Sequence, residues 1–211
     1  MSRAHSLVVL ALVAGGCFMT RGNGEPAAEV REVDPFTALD VGGVFQLQAE
    51  QGSEQRVEVR GDANLLELVE LEVHGAELRA KIRGNTIPDL PLQLIVRVPE
   101  LREVELSGAA RGELVGLEGP SLSLDVSGAS DLRVSGRVKQ LDAEVSGASE
   151  LDASGLEADA VRIESSGASS AEVTANTALV AEASGASSIR WRGTATQVDR
   201  DASGASSIDH R

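Results

Sequence analysis

The sequence predicts an all-β protein, a parallel, right-handed β-helix built from coils of about nineteen residues. Three observations support this fold class. The tripeptide Ser-Gly-Ala recurs at nearly constant spacing through the C-terminal half. Apolar and polar residues alternate on both sides of it, which is the period of a strand with one buried face. All six prolines lie at or before Pro120, so the repeats beyond it keep every backbone N–H for a hydrogen-bonded ladder.

Residues 1–16 have the pattern of an export signal peptide. Arg3 supplies a positive charge, an apolar run extends from Leu7 to Ala14, and small residues precede Cys17. The segment resembles the lipobox of bacterial lipoproteins, in which the cysteine becomes the lipid-modified first residue of the mature chain. Ordinary signal-peptidase cleavage before Cys17 is the alternative. Since Cys17 is the single cysteine, lipidation would also remove a reactive thiol, and no intramolecular disulfide can form.

Residues 17–35 combine the lipid-anchor cysteine with a segment rich in Gly, Pro and charge that shows no periodicity. We expect a flexible linker here. Its r.m.s. length would be about 23 Å, enough to hold the following domain clear of a membrane surface.

Residues 36–98 contain strand-like segments that lack the repeated tripeptide. Alternation is clear in Phe45–Ala49, Arg56–Arg60, Leu71–Val73, Leu78–Ile82 and Leu92–Val96. Residues 62–69 predict one short helix, with Asp62 or Asn64 as its N-cap. We expect these strands to be irregular and partly antiparallel and to cap the first coil, because the terminal repeat of a solenoid needs an atypical cover.

Residues 99–211 hold the repeats and complete a single domain that spans residues 36–211. The tripeptides begin at Ser107, Ser127, Ser146, Ser166, Ser184 and Ser203, at spacings of 20, 19, 20, 18 and 19 residues. We predict structural turns at their glycines, which are Gly108, Gly128, Gly147, Gly167, Gly185 and Gly204. Trp191 falls where other coils have valine or alanine, which favours core filling over an interface contact.

The C-terminal residues Asp209 to Arg211 stop partway through a coil. This predicts an uncovered ladder edge, which an end-on oligomer or a partner would cover.

Composition excludes several classes of partner. The net charge of -14 gives no basic footprint for nucleic acid and disfavours charge-driven docking on anionic lipid. Aromatic residues make up 2% of the chain, so stacking platforms for bases or sugars are scarce. We expect an unidentified protein or glycan as partner, with the membrane contacted only through the N-terminal lipid.

An acidic residue lies two positions before each repeated serine. The set is Glu105, Asp125, Glu144, Glu164, Glu182 and Asp201. In stacked coils these carboxylates would form a column at a spacing of about 4.8 Å, and such a column could bind Ca²⁺. A solvated outer face is the favoured interpretation, since like charges at this distance cost only about 1 kcal/mol in water. Arg133, Arg162 and Arg190 are candidates to neutralise part of the column.

We find no catalytic constellation and predict neither an enzyme nor a cofactor. A serine nucleophile needs a base within reach, and the mature chain has only His74 and His210. These histidines are isolated in sequence, which does not favour a zinc site.

The ordered combination of several segments resembles a known family. Residues 36–45, Phe-Thr-Ala-Leu-Asp-Val-Gly-Gly-Val-Phe, are followed by Val57-Glu58-Val59, by Gly61–Leu66 and then by the Ser-Gly-Ala-Ser repeats. This order is similar to the family called putative autotransporter adhesin, head GIN domain. The resemblance covers residues 36–211 and implies a β-helical fold in bacterial envelope proteins, often behind a signal or lipoprotein leader.

The leading function hypothesis is therefore a non-enzymatic, exported protein of the cell envelope, either an outer membrane lipoprotein or periplasmic. It would be a lipid-anchored β-helix used for adhesion or another surface interaction. The alternative is a periplasmic module for envelope assembly or sensing. A polysaccharide-active enzyme is the third hypothesis, disfavoured because no distinctive acid–base pair stands out among the repeated carboxylates.

Overall fold

The computed structural model describes residues 19–211, so the predicted signal peptide and Cys17 lie outside the described part of the chain. Within that part strands predominate, and the predicted all-β solenoid is confirmed. One four-residue helix, α1 (Ala63–Leu66), interrupts the strands, and no helix in residues 19–211 is long and apolar enough to cross a membrane. The strands are β1 (Met19–Arg21), β2 (Pro26–Arg31), β3 (Ala38–Gly43), β4 (Gln46–Gln51), β5 (Arg56–Asp62), β6 (Val69–His74), β7 (Glu77–Ile82), β8 (Asn85–Ile87), β9 (Gln93–Val98), β10 (Glu103–Gly108), β11 (Arg111–Val126), β12 (Asp131–Val145), β13 (Glu150–Ser165), β14 (Ser170–Ala183), β15 (Ser188–Arg192), β16 (Gln197–Ala202) and β17 (Ser207–His210).

Two long ladders make up the solenoid. The first ladder runs β6-β7-β3-β10-β11-β12-β13-β14-β16, and the second runs β2-β5-β9-β4-β11-β12-β13-β14-β15-β17. Strands β11 to β14 belong to both, because each long strand passes from the second ladder to the first within one coil. Pairing is parallel from β7 to β16 and from β9 to β17.

A column of stacked glycine turns joins the two ladders. All six predicted turn glycines have a positive φ, between 76° and 83°. The alanine after each one donates its backbone N–H to the glycine carbonyl of the preceding coil, as in Ala148 N to Gly128 O at 2.8 Å. The column begins before the first tripeptide, since Ser107 and Gly108 pair with Gly42 and Gly43 of β3. The coil stack thus starts upstream of the boundary predicted at residue 99.

The N-terminal strands cover this first coil with antiparallel pairs, as predicted. The hairpin β6–β7 closes the first ladder, and the antiparallel strands β9, β5 and β2 close the second. The parallel stack therefore ends on hairpin-type pairing at this end of the molecule.

The flexible linker predicted for residues 17–35 is wrong over β1 and β2. Strand β1 pairs in parallel with β8, and β2 pairs antiparallel with β5. The buried Asp62 carboxylate ties the segment down, because it accepts backbone N–H groups from Gly24 at 2.7 Å and from Asp89 and Leu90 at 3.0 Å each. Strands this short show too few alternations to be recognised among Gly, Pro and charged residues.

The predicted helix is shorter than expected at its C-terminal end, because strand β6 begins at Val69 and pairs with β7. Helix α1 covers Ala63–Leu66 instead of residues 62–69, and Asp62 occupies its N-cap without a side-chain capping hydrogen bond. The carboxylate is instead used to hold residues 22–24 and 88–90 together. Asn64 extends this link, since its amide donates to the Arg21 carbonyl at 2.8 Å.

Columns of inward-facing Leu, Val, Ile and Ala fill the space between the ladders. Trp191 is 6% exposed and lies in the column of Val173, so its predicted place in the core is confirmed. The last coil is different, because Arg200 and His210 take the inward-facing positions next to Ala181 and Trp191. His210 stacks on Trp191 with ring centroids 3.9 Å apart, and Arg200 Nη1 donates to the Ile208 carbonyl at 3.4 Å.

Candidate interaction surface

The first ladder presents the predicted acidic column on its outer face. Strand register places the six carboxylates on adjacent strands in the order Glu105, Asp125, Glu144, Glu164, Glu182, Asp201. Asp40 of β3 precedes Glu105 in the same column, and Arg79 of β7 precedes Asp40. Partial burial raises the pKa of Glu105 above its ordinary value, and the charges of Asp40 and Asp125 raise it further.

Only one of the three arginines considered as neutralising groups lies on this face. Arg162 forms ion pairs with Glu164 and Glu182, whereas Arg133 and Arg190 lie on the second ladder. In residues 19–211 no three Asp, Glu, His or Cys side chains are close enough to hold a metal ion. The carboxylates form a row on adjacent strands, and cation binding stays the untested alternative to a solvated outer face.

The second ladder carries a mixed-charge face. Residues four and six positions after each repeated serine point outward here, and they include arginines, carboxylates, glutamines and serines. The outer positions form two rows: Gln46, Arg111, Asp131, Glu150, Ser170, Ser188 and Ser207 in one, and Gln48, Glu113, Arg133, Asp152, Glu172, Arg190 and Asp209 in the other. Both hydrogen-bond donors and acceptors are thus displayed at the strand spacing.

A shallow groove of about 410 Å³ lies across this face at β4, β11, β12 and β13. We call it the polar groove. Its polar walls consist of Gln46, Gln48, Arg111, Glu113, Asp131, Arg133, Glu150 and Asp152. Arg111 Nε lies 3.2 Å from an Asp131 carboxylate oxygen, and both side chains are more than half exposed. Such an exposed pair stabilises the fold little and is free to exchange its partner for a ligand group.

A second groove of about 470 Å³ adjoins it at β5 and β9, and we call it the arginine groove. Arg56 and Arg60 both bond Glu58, at 3.0 Å and 2.6 Å, and hydrogen bonds from Arg60 and then Arg56 hold the pKa of Glu58 below its ordinary value. Arg97 pairs with Glu50, and Ile95 gives the groove an apolar patch. Glu58 therefore stays ionised and fixes two guanidinium groups at the surface.

The two grooves form one continuous surface, because Gln48 and Glu113 line both. The surface crosses six strands, β5, β9, β4, β11, β12 and β13, which corresponds to a length of about 24 Å at the spacing of paired strands. We refer to the whole as the long groove. Its shape suits an extended polar chain better than a small compact molecule.

The sequence did not identify the long groove. One signal was present, since counting four and six residues from the first serine of each tripeptide recovers the rows of β11 to β15 and β17. The contribution of β5 and β9 had no such signal. These strands lie outside the repeat, and only pairing with β4 brings Arg56, Arg60 and Arg97 next to the coils.

The remaining candidate side chains are placed as turn or surface groups. The fourth-position serine Ser187 is buried and donates its hydroxyl to the carbonyls of Ser165 and Ser184, both at 2.9 Å. His74 lies at the surface beside Glu72, and His210 stacks on Trp191. Cys17 lies outside the described residues.

Comparisons with known proteins identify one family over most of the chain. A family model described as "Putative auto-transporter adhesin, head GIN domain" matches residues 35–195. Among curated proteins none matches this chain at a significant level.

Several crystal structures share the fold. A putative adhesin from Bacteroides fragilis aligns with a TM-score of 0.78 at 18% identity, covering 90% of this chain and 99% of that protein. A putative adhesin from Parabacteroides merdae aligns with a TM-score of 0.60 at 20% identity, covering 92% and 99%. A putative lipid binding protein from Parabacteroides distasonis aligns with a TM-score of 0.57 at 16% identity, covering 92% and 100%. At these identities the likeness concerns the fold alone.

Proposed function

This chain belongs to the head GIN domain family of auto-transporter adhesin type, and from that premise we propose that it is a lipid-anchored, non-enzymatic adhesion protein of the bacterial envelope. Cys17 carries the lipid, and the long groove holds the partner. The proposal extends the adhesin description of the family by naming the surface that binds.

The observation that carries the proposal is the continuity of the long groove over coils and cap. Adhesion needs a rigid, extended surface, and a stack of parallel coils provides one because each strand is fixed by neighbours on both sides. The arginines and carboxylates of the groove can form charge-assisted hydrogen bonds, which supply specificity at a wet interface. An extended glycan or an extended peptide segment offers matching polar groups along its length.

Binding is tested by screening the purified protein on glycan and peptide arrays and then measuring affinity for the best ligand. The variants Arg111→Glu and Arg133→Glu reverse a charge inside the polar groove, and we expect at least a tenfold loss of affinity from either. Arg162→Glu is the matched control, since it makes the same charge change on the first ladder. Equal losses from all three variants would contradict the groove assignment.

Location is tested by protease treatment of intact cells, with a periplasmic protein as internal control. Loss of the protein while the control survives is expected for a surface adhesin. Protection until the outer membrane is opened would instead favour the alternative, a periplasmic module for envelope assembly or sensing.

Release of shortened products from a bound polysaccharide would favour the enzyme hypothesis.

A further inference from the structure

The N-terminal end of the solenoid carries a small two-stranded sheet, β1–β8, that is fastened to the body of the protein. Residues 22–24, which follow β1, are held by several contacts. Gly22 N donates to the Ile87 carbonyl at 2.9 Å, and Asn23 N donates to the Asn64 side chain at 3.0 Å. Asp62 holds Gly24 as described above. Strand β1 is thus part of the folded domain.

This attachment leaves almost no tether. Only Phe18 separates Cys17 from Met19, the first residue of β1. Two residues of extended chain span at most about 7 Å, which is about a third of the reach expected for a flexible linker over residues 17–35. A group attached to Cys17 is therefore joined to the chain within about 7 Å of the first residue of β1.

One face of this sheet exposes two large apolar side chains. Met19 pairs with Asn85 and Arg21 with Ile87, so the four side chains share one face. Six large apolar side chains are exposed in the described residues, namely Met19, Val30, Val44, Ile87, Val115 and Val198. The two longest, Met19 and Ile87, are 61% and 47% exposed and both lie on β1–β8. On the same face, the 75% exposed Arg21 forms an ion pair with Asp89 through Nε at 3.1 Å, and the other N–H groups of its guanidinium can donate hydrogen bonds to lipid phosphates.

We propose that the β1–β8 face, with Met19, Arg21 and Ile87, rests on the lipid bilayer that holds the anchor. This inference rests on the lipidation of Cys17 in the proposed function. The sequence predicted a linker that holds the domain away from the membrane. In this proposal the β1–β8 face of the domain contacts the membrane directly. The net charge of -14 disfavours attraction to anionic lipid. The contact therefore depends on the apolar side chains and the lipid anchor, and it can form on a neutral bilayer.

The orientation determines which surfaces face outward. Strand β2 follows β1 and begins the second ladder, and β17 ends it nine strand spacings away. At the usual spacing this is about 43 Å. With β1–β8 on the bilayer, the last coil is the part of the solenoid most distant from the membrane, and the long groove lies nearer to the membrane than the last coil.

The test uses the full chain purified with its lipid and reconstituted in phosphatidylcholine vesicles. Mass spectrometry first establishes whether Cys17 carries the lipid. A cysteine at position 87 or 198 is then labelled with bimane, which is specific because a lipidated Cys17 has no free thiol. Ile87→Cys and Val198→Cys are matched, since the native side chains are exposed to 47% and 39% at opposite ends of the molecule.

We expect doxyl-labelled phosphatidylcholine to quench bimane at position 87 at least threefold more than at position 198, and iodide in water to show the reverse order. Lipidated protein with equal quenching at both positions, or with stronger lipid quenching at 198, would overturn the orientation and leave the anchor intact. An unmodified Cys17 would overturn the anchoring of the proposed function and this inference with it.

Discussion

At the residue scale, the turn glycines are required for two separable reasons. Gly147 has φ +76°, and a Cβ on it would lie 2.5 Å from the Gly128 carbonyl oxygen of the preceding coil. The left-handed conformation costs an L-residue about 1–2 kcal/mol, and forcing extra volume against fixed backbone costs about 1–3 kcal/mol more. We therefore expect Gly147→Ala to lower the free energy of unfolding by about 2–5 kcal/mol, measured by urea denaturation.

Two other glycines separate these contributions. Gly116 has φ +69°, and a Cβ on it would have no atom within 4 Å, so Gly116→Ala should cost only the backbone part, about 1–2 kcal/mol. Gly119 has an ordinary φ and the nearest neighbour of its Cβ would be 3.9 Å away, so Gly119→Ala should change stability by less than about 1 kcal/mol. An equal effect of all three substitutions would show that close stacking of the turns is not what selects glycine.

Asp62 is the second residue whose role can be measured directly. Burial alone would raise its pKa, but the N–H donors of Leu90, Gly24 and Asp89 outweigh burial and hold the pKa below the ordinary value of 3.8. A carboxyl with a depressed pKa in the folded state stabilises the protein above its unfolded pKa, and this contribution is lost as pH falls through the folded pKa.

We expect Asp62→Asn to lower Tm by several degrees at pH 7, because an amide NH2 then opposes the backbone donors. The Tm difference from the unmodified protein should shrink below pH 3.8. Asp159→Asn, the same substitution at an exposed aspartate of β13, is the control and should leave Tm nearly unchanged at both pH values. A Tm difference for Asp62→Asn that does not change with pH would contradict the ionised clamp.

At the element scale, the sequence predicted the strands with clear period-two alternation, both inside and outside the repeats, and missed the strands β1 and β2. β11 to β14 carry period-two alternation and a fixed turn, so their pairing follows from the tripeptide alone. β3 belongs to the same stack, but Gly42 stands where later coils have serine, and the tripeptide is absent. β1 and β2 are stabilised by Asp62, about forty residues away, and no local pattern reports a contact at that distance.

The last coil shows how an inward-facing position can be polar. Alternation alone would place an apolar residue beside Ala181, yet Arg200 lies there and reaches across to β17. Strands β16 and β17 each pair with a single strand of the preceding coil, so their other edges are open in the described chain. An inward-pointing charge is a known protection for such edges.

End-on association of two molecules through β16 and β17 stays a prediction. We expect Arg200 to weaken this association. Burying the guanidinium in a contact between two copies costs desolvation, so Arg200→Leu should shift self-association to at least tenfold lower protein concentration. Sedimentation velocity over a concentration series measures the shift. Arg192→Leu is the control, since Arg192 points outward on β15. Unchanged association of Arg200→Leu would exclude a role of this residue at the edge.

At the scale of the whole molecule, the two outer faces differ in charge balance. The second ladder carries arginines among its outward-facing acids, whereas the first ladder carries seven carboxylates in one column from Asp40 to Asp201. Neighbouring charges repel by about 1 kcal/mol in water at the strand spacing. This repulsion is spread over the length of the solenoid and is screened by salt.

Among the carboxylates of the column, ionised Glu105 should destabilise the folded state the most. A carboxyl whose folded pKa is raised stabilises the fold below its unfolded pKa, and the contribution is lost as pH rises through the folded value. Glu105→Gln should therefore raise Tm by a few degrees at pH 7 and have little effect below pH 4.5. Glu157→Gln, which removes an acid paired with Arg137, is the control and should not raise Tm.

Salt and calcium then distinguish diffuse repulsion from a cation site. If the column only repels, Tm rises with ionic strength, NaCl and CaCl2 act equally at matched ionic strength, and EDTA changes nothing. A bound Ca²⁺ would instead stabilise the folded state in proportion to the logarithm of its concentration over Kd. We expect the first result, because a solvated outer face is the favoured interpretation of the column. A Tm increase specific to micromolar Ca²⁺ and abolished by Glu144→Gln would establish the cation column.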